Sequence, residues 1–541
     1  MKRPAHPGLA ESLLGLLLVL ALVAFASSVI PLAFNNTRSA DWDQASYLMV
    51  GLRIARGTAL TDGNRNPLYP LLLAPIAERD IGYFTHAKWL SLGLGIAGLV
   101  VVYFVSRYYV GPVGALLVTL MLAHNIQYQQ AASHVDVEVL LTPLFYLAWH
   151  SSCRVLAALD SGEKGLTSSA VLAGVWSGLS YLAKGTGLLL IPLFIATLVV
   201  LAGSRYLKRR EILIFMLTFI VVASPLWLYN WVTYGSPYYN VNTTHYMWND
   251  SWEDNYVHAS EELPTALTYL QTHTVTDMWE RLIKGLETVP QQWYGALHIY
   301  GMPQGITGTA WVVAVLAAVS LAAAGVTSWK TSRTWFLLTL TGILGFALLF
   351  AWYHPIDDAP RFVLPWVPVV YLVPLWSLRT LIPPKVRTWL SRGAGALAAL
   401  VIIITLWHRP LPLNLLRNMS SHDRRAEAEG IAFMAELLKQ TDAGESVAIG
   451  PTHDLPYWLA FDRRLMHIPY TRPNWPSFQT WLFRNDIRTV VINEEVWNRR
   501  RILLSKALAK TDQGLIGQQL PPGWKLNEPA AFPCSTCMFT V

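Results

Sequence analysis

Long apolar runs alternate with short polar breaks along most of the chain. The first run covers 12–34, and ten more lie at 86–106, 112–125, 136–158, 168–183, 187–203, 212–230, 307–327, 334–353, 361–379 and 393–408. About 20 apolar residues in a helix cross the hydrocarbon core of a bilayer. The first run is too long for the core of a signal peptide, so we expect it to be retained. The pattern predicts a multi-span α-helical membrane protein with about 11 transmembrane helices.

Basic residues indicate the orientation of these spans. With eleven spans, every short cluster of Lys and Arg falls on one side, at 107, 205–210, 330–333 and 379–392. Such clusters stay in the cytoplasm. We therefore expect a membrane domain over 1–410 in the inner (plasma) membrane, with a cytoplasmic N-terminus. Three long segments then face outwards: a loop at 35–85 with helices on the membrane surface, a loop at 231–306, and the tail from 411.

The tail has a different pattern from the membrane domain. It is polar and mixed in charge, with an amphipathic helix predicted at 426–439, short buried strands at 445–450 and 488–493, and another helix at 495–510. Alternating strands and helices favour a soluble extracytoplasmic α/β domain over 411–541. Such a domain is either a substrate-recognition module or a stabilising cap. Cys534 and Cys537 form a C-x-x-C pair that is a structural disulfide, a redox-active pair or idle outside the cytoplasm.

Composition narrows the class of protein. Hydrophobic residues make up 53% of the 541 residues and charged residues only 14%, against about 25% charged in ordinary globular proteins. A chain so poor in charge cannot cover a soluble surface of its size, which excludes a wholly soluble protein. We assign the net charge of +7 to cytoplasmic Lys and Arg. The expected partners are therefore membrane lipids and not nucleic acids.

Ionisable residues next to the membrane are costly, so they are candidates for function. Asp43 precedes a run with helical spacing through Tyr47, Gly51 and Ala55. An acid at this place is either an N-cap of that helix or a functional carboxylate. Aromatic residues are frequent in the loop at 231–306, where they suit either sugar rings or the membrane interface.

Further charged residues lie at the outer ends of other spans. Asp136 and Glu138 enter a span. Side chains two residues apart on a helix point about 200° apart, so either only one of the two acids faces a given cavity or both simply lie at the membrane interface. Lys184, in a K-G-T-G run, either snorkels or binds a phosphate. Arg361 follows the charged loop at 354–360 and is either a membrane anchor or a phosphate contact.

Several degenerate motifs between about 12 and 380 occur in an order that resembles a known family. They are Asp43-x3-Tyr47-x3-Gly51 with Gly57, the run at 66–75 (N-P-L-Y-P-L-L-L-A-P), the run at 178–185 (G-L-S-Y-L-A-K-G), Pro225 to Trp227 with Asn230 and the run at 234–237, and Arg361 to Pro365. This set resembles membrane glycosyltransferases of the GT-C fold, in particular the protein O-mannosyltransferase and aminoarabinose (lipid A) transferase group.

The resemblance implies a function. It implies an inverting glycosyltransferase that moves a hexosyl or pentosyl unit from a polyprenyl-phosphate donor to a hydroxyl of a lipid, glycan or protein on the extracytoplasmic face. Asp43 matches the family's catalytic base, and Glu138, or else Asp136, matches its second acid. The family has a lysine where this chain has Asn66, so the donor phosphate is left to Arg65, Lys184 or Arg361.

Other expectations remain open at this level. Residues of the same outer motifs are candidates for substrate binding, namely Tyr47, Tyr69, His354 and Asp357. No cofactor is certain, although two outer acids could hold a divalent cation together with a phosphate. Two alternatives are a lipid-linked glycan ligase or polymerase, with a catalytic Arg or His pair in a large loop, and a transporter, with inverted repeats.

Overall fold

The computed structural model describes most of the chain. The described residues are 9–41, 43–161, 167–202, 210–252, 254, 263–299, 333–449, 455–468 and 475–493, with strands at 508–511, 514–517, 525–527 and 536–540. The predicted span at 307–327, most of the predicted helix at 495–510, and Cys534 lie outside these residues.

Helices dominate the described part of the predicted membrane domain. In chain order they are α1 (Leu9–Asn35), α2 (Gln44–Ala55), α3 (Leu68–Leu73), α4 (Gly82–Ala123), α5 (Ile126–Ser133), α6 (Glu138–Ser161), α7 (Thr167–Ala183), α8 (Leu190–Ala202), α9 (Arg210–Tyr234), α10 (Val241–Thr244), α11 (Ala266–Thr272), α12 (Val275–Ala296), α13 (Arg333–Tyr353), α14 (Val367–Leu381) and α15 (Pro384–His408). Two 3₁₀ helices, Gly185–Leu189 and Pro360–Trp366, lead into α8 and α14.

Six described segments are long and apolar enough to cross a bilayer. They are Glu11–Asn35, Gly82–Ala123, Arg210–Tyr234, Arg333–Tyr353, Pro360–Arg379 and Pro384–His408. The helices α6, α7 and α8 also cover predicted spans, at 136–158, 168–183 and 187–203. The fold is therefore mostly helical with several candidate spans, and the number of about 11 stays a prediction.

Helix α4 contains a break between two predicted spans. Gly111 adopts φ +75° and Pro112 follows it, so the regular helix is interrupted there. A glycine tolerates this backbone without steric cost, and proline cannot donate the helical hydrogen bond. Arg379 Nη1 donates to the carbonyl oxygen of Tyr109 at 3.0 Å. This contact joins two regions that the basic clusters assign to the same, cytoplasmic, side.

Two glycines let helices α7 and α9 approach each other closely. A Cβ at Gly174 of α7 would lie 2.6 Å from the carbonyl oxygen of Phe215, and one at Gly178 would lie 2.7 Å from Val222. Two glycines four residues apart on one helix face are typical of close helix packing in membranes. Helix α7 is thus pressed against α9, which fixes the position of Lys184 just beyond its end.

The tail contains two helices and a mixed sheet. The helices α16 (Leu413–Ala426) and α17 (Ala428–Gln440) precede the strands, and α18 (Trp475–Arg484) lies among them. The strands are β1 (Ser446–Ile449), β2 (Arg464–His467), β3 (Ile487–Asn493), β4 (Leu508–Thr511), β5 (Gly514–Gly517), β6 (Lys525–Asn527) and β7 (Thr536–Thr540). The main sheet has the order β2-β1-β3-β7-β6, with β1 parallel to β2 and β3.

Most of the local predictions for the tail agree with these elements. Strands β1 and β3 lie where buried strands were expected, and α17 lies where the amphipathic helix was expected. The predicted helix at 495–510 is wrong at its end, because β4 there pairs antiparallel with β5. The extracytoplasmic location of the tail stays a prediction.

Buried polar contacts join the tail to the helices around the first outer loop. Lys88 Nζ lies 2.8 Å from Asp423 Oδ1, and both side chains are fully buried. Ser39 Oγ donates to Glu427 Oε2 at 2.9 Å and accepts from Trp458 Nε1 at 2.8 Å. Buried charges are costly unless they are paired, so these contacts hold the tail in one position.

Candidate active site

A cavity of about 820 Å³ opens where the first outer loop, the ends of several helices and the tail meet. Its volume lies in the range of small-molecule sites. The charged residues that line it are Asp43, Arg53, Asp62, Arg65, Lys184, Asp357 and Arg361. Apolar and aromatic residues complete the wall, among them Leu349, Phe350, Tyr353, Ile356, Phe362, Tyr239, Tyr246 and Trp252.

Asp43 lies directly before α2 but does not cap it. Its side chain makes no capping hydrogen bond, so the interpretation of Asp43 as an N-cap is wrong. Arg65 Nη2 instead contacts Oδ1, and Arg361 Nη1 lies 3.3 Å from Oδ2. Burial acts to raise the pKa of Asp43, but the charges of Arg65, Arg361 and Lys184 outweigh it and hold the pKa well below its usual range.

A tight turn presents Arg65 to the cavity. Asp62 Oδ1 accepts the backbone N–H groups of Asn64 at 2.9 Å and Arg65 at 2.7 Å. Thr61 Oγ1 donates to the carbonyl oxygen of Arg65 at 2.6 Å. Gly63 takes φ +83°, which this turn requires. An Asx turn of this kind fixes the backbone at Arg65, and so directs its side chain towards the cavity.

Asn66 lines the cavity, but its amide group is engaged with α7. Its Nδ2 donates to the carbonyl oxygen of Tyr181 on α7, and the residue is 6% exposed. The amide therefore fastens the turn to α7. At this place in the chain, Arg65 is the residue that brings positive charge to the cavity.

Lys184 reaches the cavity from the turn after α7. A Cβ at Gly187 would collide with the backbone of Ser180, so only glycine allows the chain to fold back this tightly. Lys184 Nζ forms an ion pair with Glu138 Oε1, and its side chain is 23% exposed. The cation is thus held at the cavity wall by a carboxylate behind it.

Glu138 and Asp136 lie behind the cavity and do not line it. Glu138 is the first residue of α6 and is 1% exposed. Asp136 precedes the helix, so the expected helical separation of the two acids does not apply, and their carboxyl groups interact directly. The prediction that only one of them faces a given cavity assumed that both lie on one helix, and that assumption is wrong. Glu138 contacts Lys184, and this places it as a support for that cation.

Arg361 lies at the start of the 3₁₀ helix Pro360–Trp366. Besides Asp43 it contacts Asp357, with Nη2 3.6 Å from Oδ2. The ring of Phe362 has Lys184 Nζ 5.0 Å from its centroid and the Arg361 guanidinium carbon at 5.4 Å. Burial raises the pKa of Asp357, although Arg361 opposes the shift. A carboxyl that is 36% exposed and lies beside an arginine is well placed to bind a polar group.

The remaining predicted substrate-binding residues differ in position. Tyr47 lines the cavity, and its ring meets the edge of Tyr69 with centroids 5.2 Å apart. Tyr69 is fully buried, and its hydroxyl lies 2.7 Å from Ser91 Oγ, so it packs behind Tyr47. His354 does not line the cavity, and its Nδ1 lies 3.9 Å from Asp358. Of the predicted set, only Tyr47 and Asp357 reach the cavity directly.

The sequence analysis missed several residues that line the cavity. They include Asp62, Asn64, Asn242, Tyr353 and Tyr457. Asp62 shows an Asx-turn pattern before Gly63, which was a usable signal. Tyr457 belongs to the tail, within the 3₁₀ helix Tyr457–Ala460, and no pattern in the sequence joins it to a residue more than 400 positions earlier.

Three of the cations that line the cavity lie around one half-buried carboxylate, Asp43. Arg65, Lys184 and Arg361 are each 18–23% exposed at the side chain, and Asp43 is 32% exposed. Cations in a partly dry cavity bind a phosphate strongly, and a carboxylate can accept a proton. Among the described residues there is no group of three or more His, Cys, Asp and Glu side chains that could hold a metal ion.

Comparison with known proteins identifies the fold. No family model matches the sequence, and no curated protein matches it. ArnT from Cupriavidus metallidurans, solved with undecaprenyl phosphate bound, is 12% identical over 98% of each chain, with a TM-score of 0.53. AglB, an oligosaccharyltransferase from Archaeoglobus fulgidus solved with an inhibitory peptide and a dolichol-phosphate, is 13% identical over 96% of this chain and 76% of its own, with a TM-score of 0.55. Both have the GT-C fold of membrane glycosyltransferases, and at this identity the similarity shows that the chain shares this fold, as its motifs predicted.

Proposed function

We propose that this protein is an inverting glycosyltransferase that uses a polyprenyl-phosphate-linked sugar. The observation that carries the proposal is the convergence of Arg65, Lys184 and Arg361 around Asp43 in one cavity. The donor is a hexosyl or pentosyl polyprenyl phosphate and the acceptor is a hydroxyl of a lipid, glycan or protein. We place the reaction on the extracytoplasmic face of the inner membrane, where the positive-inside pattern puts this cavity.

The donor phosphate fits the cation side of the cavity. The walls beside the cations include Leu349 and Phe350 at the end of α13 and Phe362 at the start of the next candidate span. A polyprenyl chain can stay in the bilayer next to these residues while its phosphate meets the cations. Arginine and lysine on the departing phosphate stabilise the charge that develops on it as the bond to the sugar breaks.

Asp43 is the proposed base of a single displacement. The acceptor oxygen forms a bond to the anomeric carbon while the bond from that carbon to the phosphate oxygen breaks, and its electron pair leaves with the polyprenyl phosphate. The acceptor proton passes to Asp43. Attack opposite to the leaving group inverts the anomeric centre. ArnT, of the same fold, was solved with undecaprenyl phosphate bound, which supports a lipid phosphate as the donor's carrier.

The ion pairs impose an order of binding. Both oxygens of Asp43 lie against arginines, and a carboxylate so engaged is a weak base. A donor phosphate competes for the same two guanidinium groups. Its arrival releases Asp43, raises the pKa of that carboxyl towards its ordinary value and makes it a better proton acceptor. We therefore propose that the donor binds before the acceptor reacts.

The test uses the purified full chain in lipid, with a panel of polyprenyl-phosphate sugars and native membrane extract as the source of acceptor. Release of sugar from the donor is followed for the wild type, for Asp43→Asn and for the control Asp358→Asn. Asp358 is 59% exposed and does not line the cavity. We expect the control to match the wild type and Asp43→Asn to lose transfer while staying folded. Equal transfer by all three proteins would remove Asp43 from the mechanism, and no transfer from any donor would reject the proposal.

A further inference from the structure

The 3₁₀ helix Tyr457–Ala460 is fastened to the first outer loop at several neighbouring points. Trp458 is fully buried. Arg79 Nε donates to the carbonyl oxygen of Leu459 at 2.7 Å, and Arg53 Nε donates to that of Phe461 at 3.0 Å. Arginines thus hold the carbonyl groups of Leu459, inside the helix, and of Phe461, just beyond it, and these contacts position the segment. The same contacts position the first residue of this helix.

That first residue is Tyr457, which lies in the same cavity as Asp43. It lines the cavity together with Asp43 and Ser46, and Ser46 lies less than one helical turn beyond Asp43. The charges of Arg65 and Asp43 act on it directly. Burial raises the pKa of Tyr457, so its hydroxyl keeps its proton at neutral pH and can donate a hydrogen bond. The tail thus contributes a polar group within the same cavity as the proposed base.

The cavity has two walls of different origin. One wall comes from candidate membrane spans, with Leu349, Phe350 and Phe362. The other comes from the tail, with Ile449, Tyr457 and Leu465. The polyprenyl chain of a donor remains in the bilayer, so the donor occupies the wall made by the spans. The wall made by the tail is left for the second substrate.

We propose that the tail forms the acceptor side of the cavity and that Tyr457 is an acceptor-binding residue whose hydroxyl holds the acceptor oxygen beside Asp43. This inference rests on the proposed function. Ile449 and Leu465 flank Tyr457 with apolar surface, so the acceptor class is a hydroxyl carried by a molecule with an apolar portion. The tail is then a substrate-recognition module and not only a stabilising cap.

The test compares the wild type with Tyr457→Phe, which keeps the ring and loses the hydroxyl. The donor is the polyprenyl-phosphate sugar found active for the wild type, and the acceptor source is a lipid extract of native membranes in serial dilution. We expect the half-saturating amount of extract to rise roughly tenfold, because a buried hydrogen bond to substrate is lost. The affinity for undecaprenyl phosphate and the apparent melting temperature should not change. The matched control is Tyr238→Phe, at a tyrosine that is 62% exposed and does not line the cavity.

The outcomes separate this inference from the proposed function. An unchanged half-saturating amount in Tyr457→Phe overturns the acceptor role while leaving glycosyl transfer intact. A joint fall in melting temperature and in affinity for undecaprenyl phosphate also overturns it, because the hydroxyl then serves only to fasten the tail to α2. If the wild type transfers sugar from no donor, the proposed function fails and this inference falls with it.

Discussion

Replacing Asp43 by asparagine separates catalysis from donor binding. Arg65 Nη2 contacts one oxygen of the carboxylate, and Arg361 Nη1 lies 3.3 Å from the other. A donor phosphate that uses both arginines must displace this carboxylate. Asparagine keeps the size of the side chain and removes its charge. We therefore expect Asp43→Asn to lose sugar transfer and, at the same time, to bind undecaprenyl phosphate more tightly than the wild type does.

The expected gain in affinity for undecaprenyl phosphate follows from the exposure of the two ion pairs. The side chains involved are 18–32% exposed, so water weakens the attraction between them. Ion pairs of this kind contribute about 0.5–1 kcal/mol each. Removal of two such competitors amounts to about 1–2 kcal/mol, which corresponds to a dissociation constant about 5–30-fold lower.

The assay is a titration of the protein in nanodiscs with undecaprenyl phosphate, followed by tryptophan fluorescence or by thermal shift. Asp358→Asn makes the same chemical change at an acid outside the cavity lining, and its affinity should equal that of the wild type. A weaker affinity in Asp43→Asn would refute the reasoning. It would mean that the carboxylate assists the phosphate, for example through a bound cation, and does not compete with it.

Three further predictions concern the charges around the cavity and the tail. Lys88→Met leaves Asp423 buried and unpaired, and we expect a loss of about 3–5 kcal/mol of stability, seen as a lower melting temperature; an unchanged value would contradict the docking of the tail. Burial raises the pKa of Glu427 to about 7, above its unfolded value. The folded protein then binds the extra proton, so stability should fall as pH rises from about 4.5 to 7, and Glu427→Gln should remove this slope from the melting curves. A chelator should leave transfer unchanged, because the carboxylates of Asp43 and Glu138 already contact protein cations; a rate that drops with EDTA and returns with Mg²⁺ or Mn²⁺ speaks against this.

The sequence predicted that these charged residues lie together at one face of the protein, but it did not predict the distances between them. The positive-inside pattern put Asp43, Lys184 and Arg361 on one face, and the structure brings the three to one cavity. Their contacts depend on how α7 packs against α9 and on where the loop at 354–359 turns. Neither can be read from hydropathy, because both are set by side-chain shape between helices.

Errors arose where local structure departed from the simplest pattern. Asp136 was placed on a helix because apolar sequence continues through it, but α6 begins two residues later. Asp43 had the sequence position of an N-cap, yet the two arginines offer its carboxylate more than backbone N–H groups do. At Asp43 a tertiary contact decided the outcome, and one-dimensional patterns carry no information about such contacts.

The ion pairs of Asp43 explain how partly buried arginines are tolerated in this cavity. Arg65 and Arg361 would be costly if left partly buried and unpaired. Asp43 pairs with both, and Asp62 and Asp357 each lie near one of them, so carboxylates balance the charges that a donor phosphate would meet. The same contact withholds the base until the donor arrives. The charge balance of the cavity and the order of the reaction therefore both depend on Asp43, and Asp43→Asn should alter both together.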